Sequence, residues 1–189
     1  MKSQFRIAIA LAAASVAGLS WAEDTYVGAS IGARTHYGLD CASGATCDRN
    51  GGTSGKIVFG KTFDNGFGGE VMAFRLGQAK GSVKNGTGLV PGRLSTQGLA
   101  AVGTYDLLKG ESFTLKGRLG LAYAHGKASY EAGGSSSKSY FTSVVGLGTS
   151  YAINKQWSLN ADWDRTNAVA GNSQKSHVDL FSIGATFHF

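Results

Sequence analysis

Five charged residues lie in stretches of the sequence where apolar and polar residues alternate. They are Glu70, Lys116, Arg118, Asp162 and Asp164. Alternation with a period of two is typical of a β-strand, whose successive side chains point to opposite faces. Each of the five residues falls on the face opposite the apolar one. Carboxylates and cations that share an enclosed face can pair, so the pattern predicts an interior charge network.

Four histidines are the candidates for acid–base or nucleophilic chemistry: His36, His125, His177 and His188. A histidine can activate a serine when the two side chains are within hydrogen-bonding reach, for example two residues apart on one strand face. Neither His125 nor His177 has a serine two residues later. We therefore expect the histidines to lie in loops or in an interior, and we predict no catalytic residue and no cofactor.

Two cysteines, Cys41 and Cys47, flank a short segment of small residues. Their alternative role as metal ligands is disfavoured, because no histidine or third cysteine lies at ligand spacing. In an oxidising compartment, two cysteines so close in sequence are expected to form a disulfide. Closing such a short loop would contribute about 2 kcal/mol in the chain-entropy model.

The amino-terminal residues predict export. A basic start is followed by an apolar run from Ile7 to Leu19, and Ser20-Trp21-Ala22 provides the small residues that signal peptidase requires. The apolar run is shorter than the roughly 20 residues of a spanning helix, and no other stretch qualifies. We predict a signal peptide at residues 1–22 and one mature domain at residues 23–189.

Eight strand-like segments follow the signal peptide, and none of the sequence between them has a helical pattern. The predicted ranges are about 25–34, 55–63, 67–78, 95–107, 113–125, 140–153, 157–166 and 177–189. Without helices to cover the apolar faces, lipid is the expected cover. The predicted fold is all-β, an eight-stranded antiparallel up-and-down transmembrane β-barrel with a hydrophilic interior.

The predicted connections alternate between long and short, which is how outer-membrane barrels separate extracellular loops from periplasmic turns. Two of the four long loops are predicted at residues 80–94 and 126–138. Aromatic residues near the short turns predict a girdle at one membrane interface. They are Phe63, Phe67, Tyr105, Phe113, Tyr151, Trp157 and Phe189.

The chain is basic, with a formal net charge of +6. Six basic residues fall between the predicted strands: Lys80, Lys84, Arg93, Lys127, Lys138 and Lys175. They are expected either to be solvated loop residues or to attract anionic lipid headgroups, lipopolysaccharide or polysaccharide. Nucleic acid is not an expected partner, because an exported chain without a basic-aromatic binding motif has no suitable surface.

Three stretches together carry a resemblance to a family: residues 55–70, 116–123 and 178–189. With their glycine-aromatic strands, tight turn and inward glutamate, they resemble the small eight-stranded outer-membrane barrels related to the transmembrane domain of outer-membrane protein A. The likeness covers nearly all of residues 23–189 and is specific for fold and location. The peptidoglycan-binding domain that some relatives carry is not part of this sequence.

The resemblance implies roles for three positions. Phe189 matches the carboxy-terminal phenylalanine that the barrel-assembly machinery reads. Glu70 matches an inward glutamate that is proposed to act as a gate together with a lysine or arginine, here either Lys116 or Arg118. The sequence thus predicts a structural or surface-interaction protein acting through four extracellular loops. The alternatives are a low-conductance pore gated by an interior salt bridge and, third, a lipid A-modifying enzyme.

Overall fold

The computed structural model describes residues 25–38, 47–85, 88–130, 134–169 and 175–189. The predicted signal peptide and Cys41 lie outside these ranges. The described residues form ten strands. Their bounds are β1 Thr25–Tyr37, β2 Cys47–Asp48, β3 Asn50–Gly51, β4 Ser54–Thr62, β5 Phe67–Asn85, β6 Gly88–Lys109, β7 Phe113–Tyr130, β8 Ser135–Ala152, β9 Trp157–Val169 and β10 Lys175–His188. No helix in these ranges is long and apolar enough to cross a membrane.

The eight long strands, β1 and β4 to β10, form a closed antiparallel barrel. Each pairs with its neighbours along the chain, and β10 also pairs with β1, which closes the ring. The two short strands extend the wall where β4 has not yet begun, since β3 pairs with β1 and β2 pairs with β5. The predicted all-β, eight-stranded up-and-down barrel is confirmed.

The two ends of the barrel differ in how their strands are connected. At one end, called the turn end below, residues 63–66, 110–112 and 153–156 join successive strands. Gly66 has a φ of 80°, which glycine adopts readily. At the opposite end, called the hairpin end, the strands continue further than the sequence predicted. β5 ends at Asn85 and β6 begins at Gly88, while β7 ends at Tyr130 and β8 begins at Ser135.

The predictions of long loops at residues 80–94 and 126–138 are therefore wrong. The glycine, serine and lysine content of these segments is typical of loops. Cross-strand pairing nevertheless continues as far as Asn85–Gly88 and Ser129–Ser135. A hairpin whose backbone groups pair with each other needs no strong side-chain preference for strand. The six basic residues assigned to loops accordingly lie on strands.

The outer surface of the barrel is apolar near the turn end. Leu119, Leu121 and Ile183 are more than half exposed, as expected for side chains that face lipid. All members of the predicted aromatic girdle are exposed and lie at the turn end. Its seven members, Phe63, Phe67, Tyr105, Phe113, Tyr151, Trp157 and Phe189, are 44–57% exposed.

Towards the hairpin end, the polarity of the two strand faces reverses, as β10 illustrates. From Phe187 to Phe181 its outward residues are apolar and its inward residues are small or polar. Beyond Phe181 the outward residue is Asp179, whereas the inward residues Leu180 and Val178 are 3% and 0% exposed. A wall surrounded by lipid has its apolar side chains outside, whereas a wall surrounded by water has them inside. The reversal therefore marks the level at which the barrel leaves the hydrocarbon.

The same reversal occurs on the other strands that reach this level. On β1 and on β5 to β10, the last apolar outward residue and the first polar one are Ala33 and Arg34, Ala73 and Arg75, Leu99 and Gln97, Tyr123 and His125, Phe141 and Ser139, Trp163 and Arg165, and Phe181 and Asp179. These pairs form a ring around the barrel, called the boundary ring below. The part of the barrel beyond the boundary ring is built like a small water-soluble barrel, with its apolar side chains inside.

Candidate functional site

The interior of the barrel near mid-height contains a cluster of ionised side chains, called the charge layer below. Its members are Lys56, Glu70, Arg118, Asp162 and Asp164, whose side chains are 1–8% exposed. Arg118 is the central cation. Its Nε lies 3.3 Å from Oε2 of Glu70, and its Nη1 lies 3.0 Å from Oδ1 of Asp162 and 3.6 Å from Oδ1 of Asp164.

Lys56 is the second cation of the charge layer, and the sequence analysis did not single it out. Its Nζ lies 3.0 Å from Oδ2 of Asp162 and also contacts Asp164. The signal was present in the sequence, because Lys56 lies on the strand face opposite Ile57 and Phe59. Two cations and three carboxylates therefore share one enclosed layer, and each carboxylate contacts a cation.

Lys116 lies closer to the turn end and makes weaker contacts than Arg118. Its Nζ is 4.0 Å from Oδ1 of Asp106, 3.3 Å from the Tyr26 hydroxyl and 4.8 Å from the centre of the Tyr26 ring. The Tyr26 hydroxyl donates a 2.7 Å hydrogen bond to Oε1 of Glu70. In this structure the ion-pair partner of Glu70 is thus Arg118, and Lys116 reaches Glu70 through Tyr26.

Glycine residues of β8 make room for the charge layer. A Cβ atom on Gly148 would lie 2.5 Å from Oδ1 of Asp162 and 3.2 Å from Cζ of Arg118. A Cβ atom on Gly146 would lie 2.5 Å from Oδ1 of Asp164. Real atoms do not approach so closely, so any larger residue here would displace the carboxylates. The cavity that remains between the charge layer and the turn end has a volume of about 50 Å³.

Between the charge layer and the hairpin end, the interior is filled by apolar side chains, called the apolar layer below. Members include Tyr37, Phe74, Leu76, Leu94, Ala124, Val178 and Leu180, which belong to one core of buried residues. The prediction of a hydrophilic interior is wrong for this half of the barrel. The reason is the reversal of polarity, since a wall surrounded by water requires an apolar core.

Two histidines contact serines across strands. His125 Nδ1 lies 3.0 Å from Ser139 Oγ on the outer surface, and His188 Nε2 lies 3.1 Å from Ser158 Oγ inside the barrel. Reasoning along a single strand missed these serines because they belong to neighbouring strands. A serine nucleophile also requires a group that orients the histidine. Within the described ranges, no carboxylate hydrogen-bonds to His125.

The remaining predicted sites lie at the edges of the described structure. Phe189 donates its backbone N–H to the carbonyl of Thr25 over 3.0 Å, and its ring packs edge-on against Phe187 with the ring centres 5.3 Å apart. Phe189 thus lies where β1 meets β10. Cys47 begins the short strand β2, whereas its predicted partner Cys41 lies outside the described residues, so the disulfide stays a prediction.

A closed barrel with a lipid-facing apolar band, an aromatic girdle at one rim and a filled interior defines the class of small transmembrane β-barrels. The family model of the outer membrane protein β-barrel domain matches residues 7–189. The chain belongs to this family, whose members reside in the outer membrane of Gram-negative bacteria. In such barrels the short turns are periplasmic and the opposite end is extracellular.

Solved structures with this fold are similar over most of the chain. Neisserial surface protein A is 17% identical with a TM-score of 0.61, covering 87% of this chain and 97% of its own. Ail, the attachment invasion locus protein of Yersinia pestis, solved with the heparin analogue sucrose octasulfate, is 20% identical with a TM-score of 0.55, covering 88% and 100%. OprG of Pseudomonas aeruginosa is 16% identical with a TM-score of 0.51, covering 88% and 96%. No curated protein sequence matches significantly.

Proposed function

We propose that the chain is a non-conducting, non-catalytic outer-membrane barrel that binds polyanions at the cell surface. The observation that carries this proposal is a cluster of basic side chains on the outer face of β5, β6 and β7 near the hairpin end, called the basic face below. Its members are Lys80, Arg93 and Lys127, all of them exposed. The proposal includes export by the predicted signal peptide and recognition of Phe189 by the barrel-assembly machinery.

The pairing of the strands brings the cations of the basic face together. Lys80 lies directly opposite Arg93. Arg93 lies opposite Ser129, which makes Lys127 its diagonal neighbour on β7. A polyanion that lies across the three strands would gain several charge-assisted contacts at once.

The surroundings of the basic face also favour an anionic ligand. The sequence has no aspartate or glutamate at residues 71–105 or 112–130, so the outer ends of β5, β6 and β7 are basic or neutral; on the neighbouring strand β2, Asp48 lies opposite Lys80. A mainly basic surface attracts anionic partners over a distance. The complex of Ail with a heparin analogue makes a sulfated polysaccharide the first ligand to test, although likeness at that identity supports the fold alone.

The basic face leads to a binding prediction. We expect the triple variant Lys80→Gln, Arg93→Gln, Lys127→Gln to bind heparin at least about tenfold more weakly, because it loses three contacts to sulfate groups. The measurement is surface plasmon resonance of detergent-solubilised protein on immobilised heparin at two salt concentrations. The matched control is Lys61→Gln, Lys109→Gln, Lys155→Gln, which removes the same charge at the turn end. Equal affinity of the two triple variants would contradict the proposal.

The alternative function, a pore gated by the interior salt bridge, predicts a different result. Opening the charge layer alone would leave the apolar layer in the path, so we expect no ion-channel openings from the wild-type protein or from Glu70→Ala. The measurement is single-channel recording in planar bilayers, with a large porin as the positive control. Reproducible openings of Glu70→Ala that the wild type does not show would favour the gated pore over the proposed function.

A lipid A-modifying enzyme is the third possibility, and the site geometry supports it least. The exposed His125–Ser139 pair has no orienting carboxylate within the described residues, and a triad depends on such a group for the position of the histidine. An oxyanion hole also needs donors aimed at one point, whereas strand backbone groups point along the sheet. We infer that the hydrogen bond between His125 and Ser139 is structural.

A further inference from the structure

A second polar cluster lies on the outer surface at the boundary ring, on β1, β10 and β9. The pairing of the strands arranges it as two rows of three cross-strand neighbours. Arg34, Phe181 and Trp163 form the row nearer the membrane. His36, Asp179 and Arg165 form the row beyond it. These six residues line an open hollow of about 500 Å³, called the rim hollow below.

Asp179 holds Arg165 in a fixed orientation. Arg165 donates from Nε over 2.7 Å and from Nη2 over 2.9 Å to the two carboxylate oxygens. Trp163 donates its indole N–H to the same carboxylate over 3.0 Å. The guanidinium of Arg165 also lies over the Trp163 ring, 5.4 Å from the ring centre. The carboxylate therefore has three donors, while Nη1 of Arg165 makes no hydrogen bond to any described residue.

Arg34 is at the diagonally opposite corner of the rim hollow. It is exposed and makes no hydrogen bond or ion pair within the described part of the chain. Adjacent strands are about 4.8 Å apart, so β1 and β9 lie roughly 10 Å apart on either side of β10. An arginine side chain is long enough to span half of that distance. Arg34 and Arg165 can therefore reach one anion held above the Phe181 ring.

The position of the rim hollow relative to the membrane indicates what kind of anion it receives. The outward residues on its membrane side, Ile31, Ala161 and Ile183, are apolar. A ligand in the rim hollow would thus have acyl chains along that apolar surface and its polar group at the boundary ring. Tryptophan and arginine are also the residues that interact with the headgroup region of a bilayer. A soluble polysaccharide would not use the apolar surface.

We propose that the rim hollow binds the phosphate group of a glycolipid in the outer leaflet. Two arginines suit this task, because the guanidinium of Arg34 can donate two parallel hydrogen bonds to phosphate oxygens and Arg165 still offers its Nη1 group. His36 adds a third polar group, and Asp179, whose carboxylate accepts from Trp163 and Arg165, fixes the orientation of Arg165. The rim hollow lies on β1, β9 and β10 and the basic face on β5, β6 and β7, so this site is independent of the polyanion site.

The test uses Trp163 as a reporter in the protein purified from outer membranes in a zwitterionic detergent, with Trp157→Phe as the common background. The titrants are bisphosphorylated lipid A, chemically dephosphorylated lipid A and inorganic phosphate. We expect a saturable change in fluorescence with bisphosphorylated lipid A and binding about tenfold weaker or more with each of the other two, because each lacks half of the recognised group.

Variants then assign the binding to the rim hollow. Arg34→Gln and Arg165→Gln are each expected to weaken lipid A binding about tenfold, the equivalent of one charged hydrogen-bonding partner. Arg75→Gln is the matched control, since Arg75 is an exposed arginine of the boundary ring on β5. Arg34 makes no contact that folding requires, so its variant tests binding without unfolding the barrel.

Three results would overturn the proposal. The first is wild-type affinity of Arg34→Gln for bisphosphorylated lipid A. The second is equal binding of phosphorylated and dephosphorylated lipid, which would indicate recognition of acyl chains alone. The third is binding of inorganic phosphate as tight as that of lipid A, which would indicate a site for free anions.

Discussion

Replacement of Arg118 by methionine is expected to lower the free energy of unfolding of the barrel by about 3–5 kcal/mol, the usual cost of removing one partner from a buried ion pair. Arg118 contacts Glu70, Asp162 and Asp164, and its side chain is 8% exposed. The variant leaves three carboxylates with Lys56 as their one remaining cation in the charge layer. The measurement is urea unfolding in phosphatidylcholine vesicles, followed by circular dichroism.

Two further variants separate the loss of the ion pairs from a general effect of the substitution. Arg75→Met makes the same chemical change on the outer surface and should alter stability by less than about 0.5 kcal/mol. Arg118→Lys retains a charge but cannot contact three carboxylates with a planar group, so an intermediate loss is expected. If Arg118→Met unfolds at the same urea concentration as the wild type, the charge layer does not contribute to stability as described.

Replacement of Phe74 by alanine is expected to cost about 3–5 kcal/mol of unfolding free energy, as for other buried phenylalanines. Phe74 is 6% exposed and belongs to the apolar layer. Its ring packs against the backbone of β6, where a Cβ atom on Gly98 would lie 2.8 Å from the ring. The variant would therefore leave a cavity that neighbouring side chains cannot fill. The same urea titration measures the loss.

The graded control for this position is Phe74→Leu, which keeps most of the volume and should cost less than about 1.5 kcal/mol. The two variants together test whether the extracellular half of the interior is a packed core. If the interior were hydrated, Phe74→Ala would lower the unfolding free energy much less, because water would fill the space of the missing ring. A loss below about 1 kcal/mol for Phe74→Ala, smaller than a cavity costs, would contradict the packed core.

The fold could be predicted from the sequence because a closed barrel depends on a simple local pattern. Period-two alternation predicted the lipid-facing residues of most strands, and it placed Glu70, Arg118 and Asp162 on the interior face. Side-chain direction along a strand is set by the backbone. The height at which residues of different strands meet depends on register, so the pattern could not show whether Lys116 or Arg118 reaches Glu70.

The errors have a common physical cause, which is that the exterior changes from lipid to water partway along each strand. Leu76, Leu94 and Val178 alternate with charged outward neighbours, so the period of two continues while the polarity of the faces reverses. Interpreted with a single rule for the whole chain, such stretches resemble polar loops. The reversal itself is visible in the sequence, for example between Phe181 and Asp179, and could have located both the boundary ring and the apolar layer.

The cross-strand position of functional partners could not be predicted in this way. His125 and Ser139 are 14 residues apart. Arg34 of β1 lies beside Phe181 of β10, which in turn lies beside Trp163 of β9, although β1 and β10 are far apart in the sequence. Such neighbours follow from hairpin register and barrel closure, which a single sequence specifies only weakly.

The pairing of β1 with β10 has a consequence for biogenesis. A backbone hydrogen bond joins Thr25 and Phe189, so the ring closes between the two long strands that lie furthest apart in the sequence. Ladders that span so much sequence form slowly. Until β1 and β10 pair, both strands would expose unpaired backbone hydrogen-bonding groups to the bilayer, and each such group costs several kcal/mol. An unclosed sheet is therefore costly in hydrocarbon, which favours shielding of these two edges until β1 and β10 have paired.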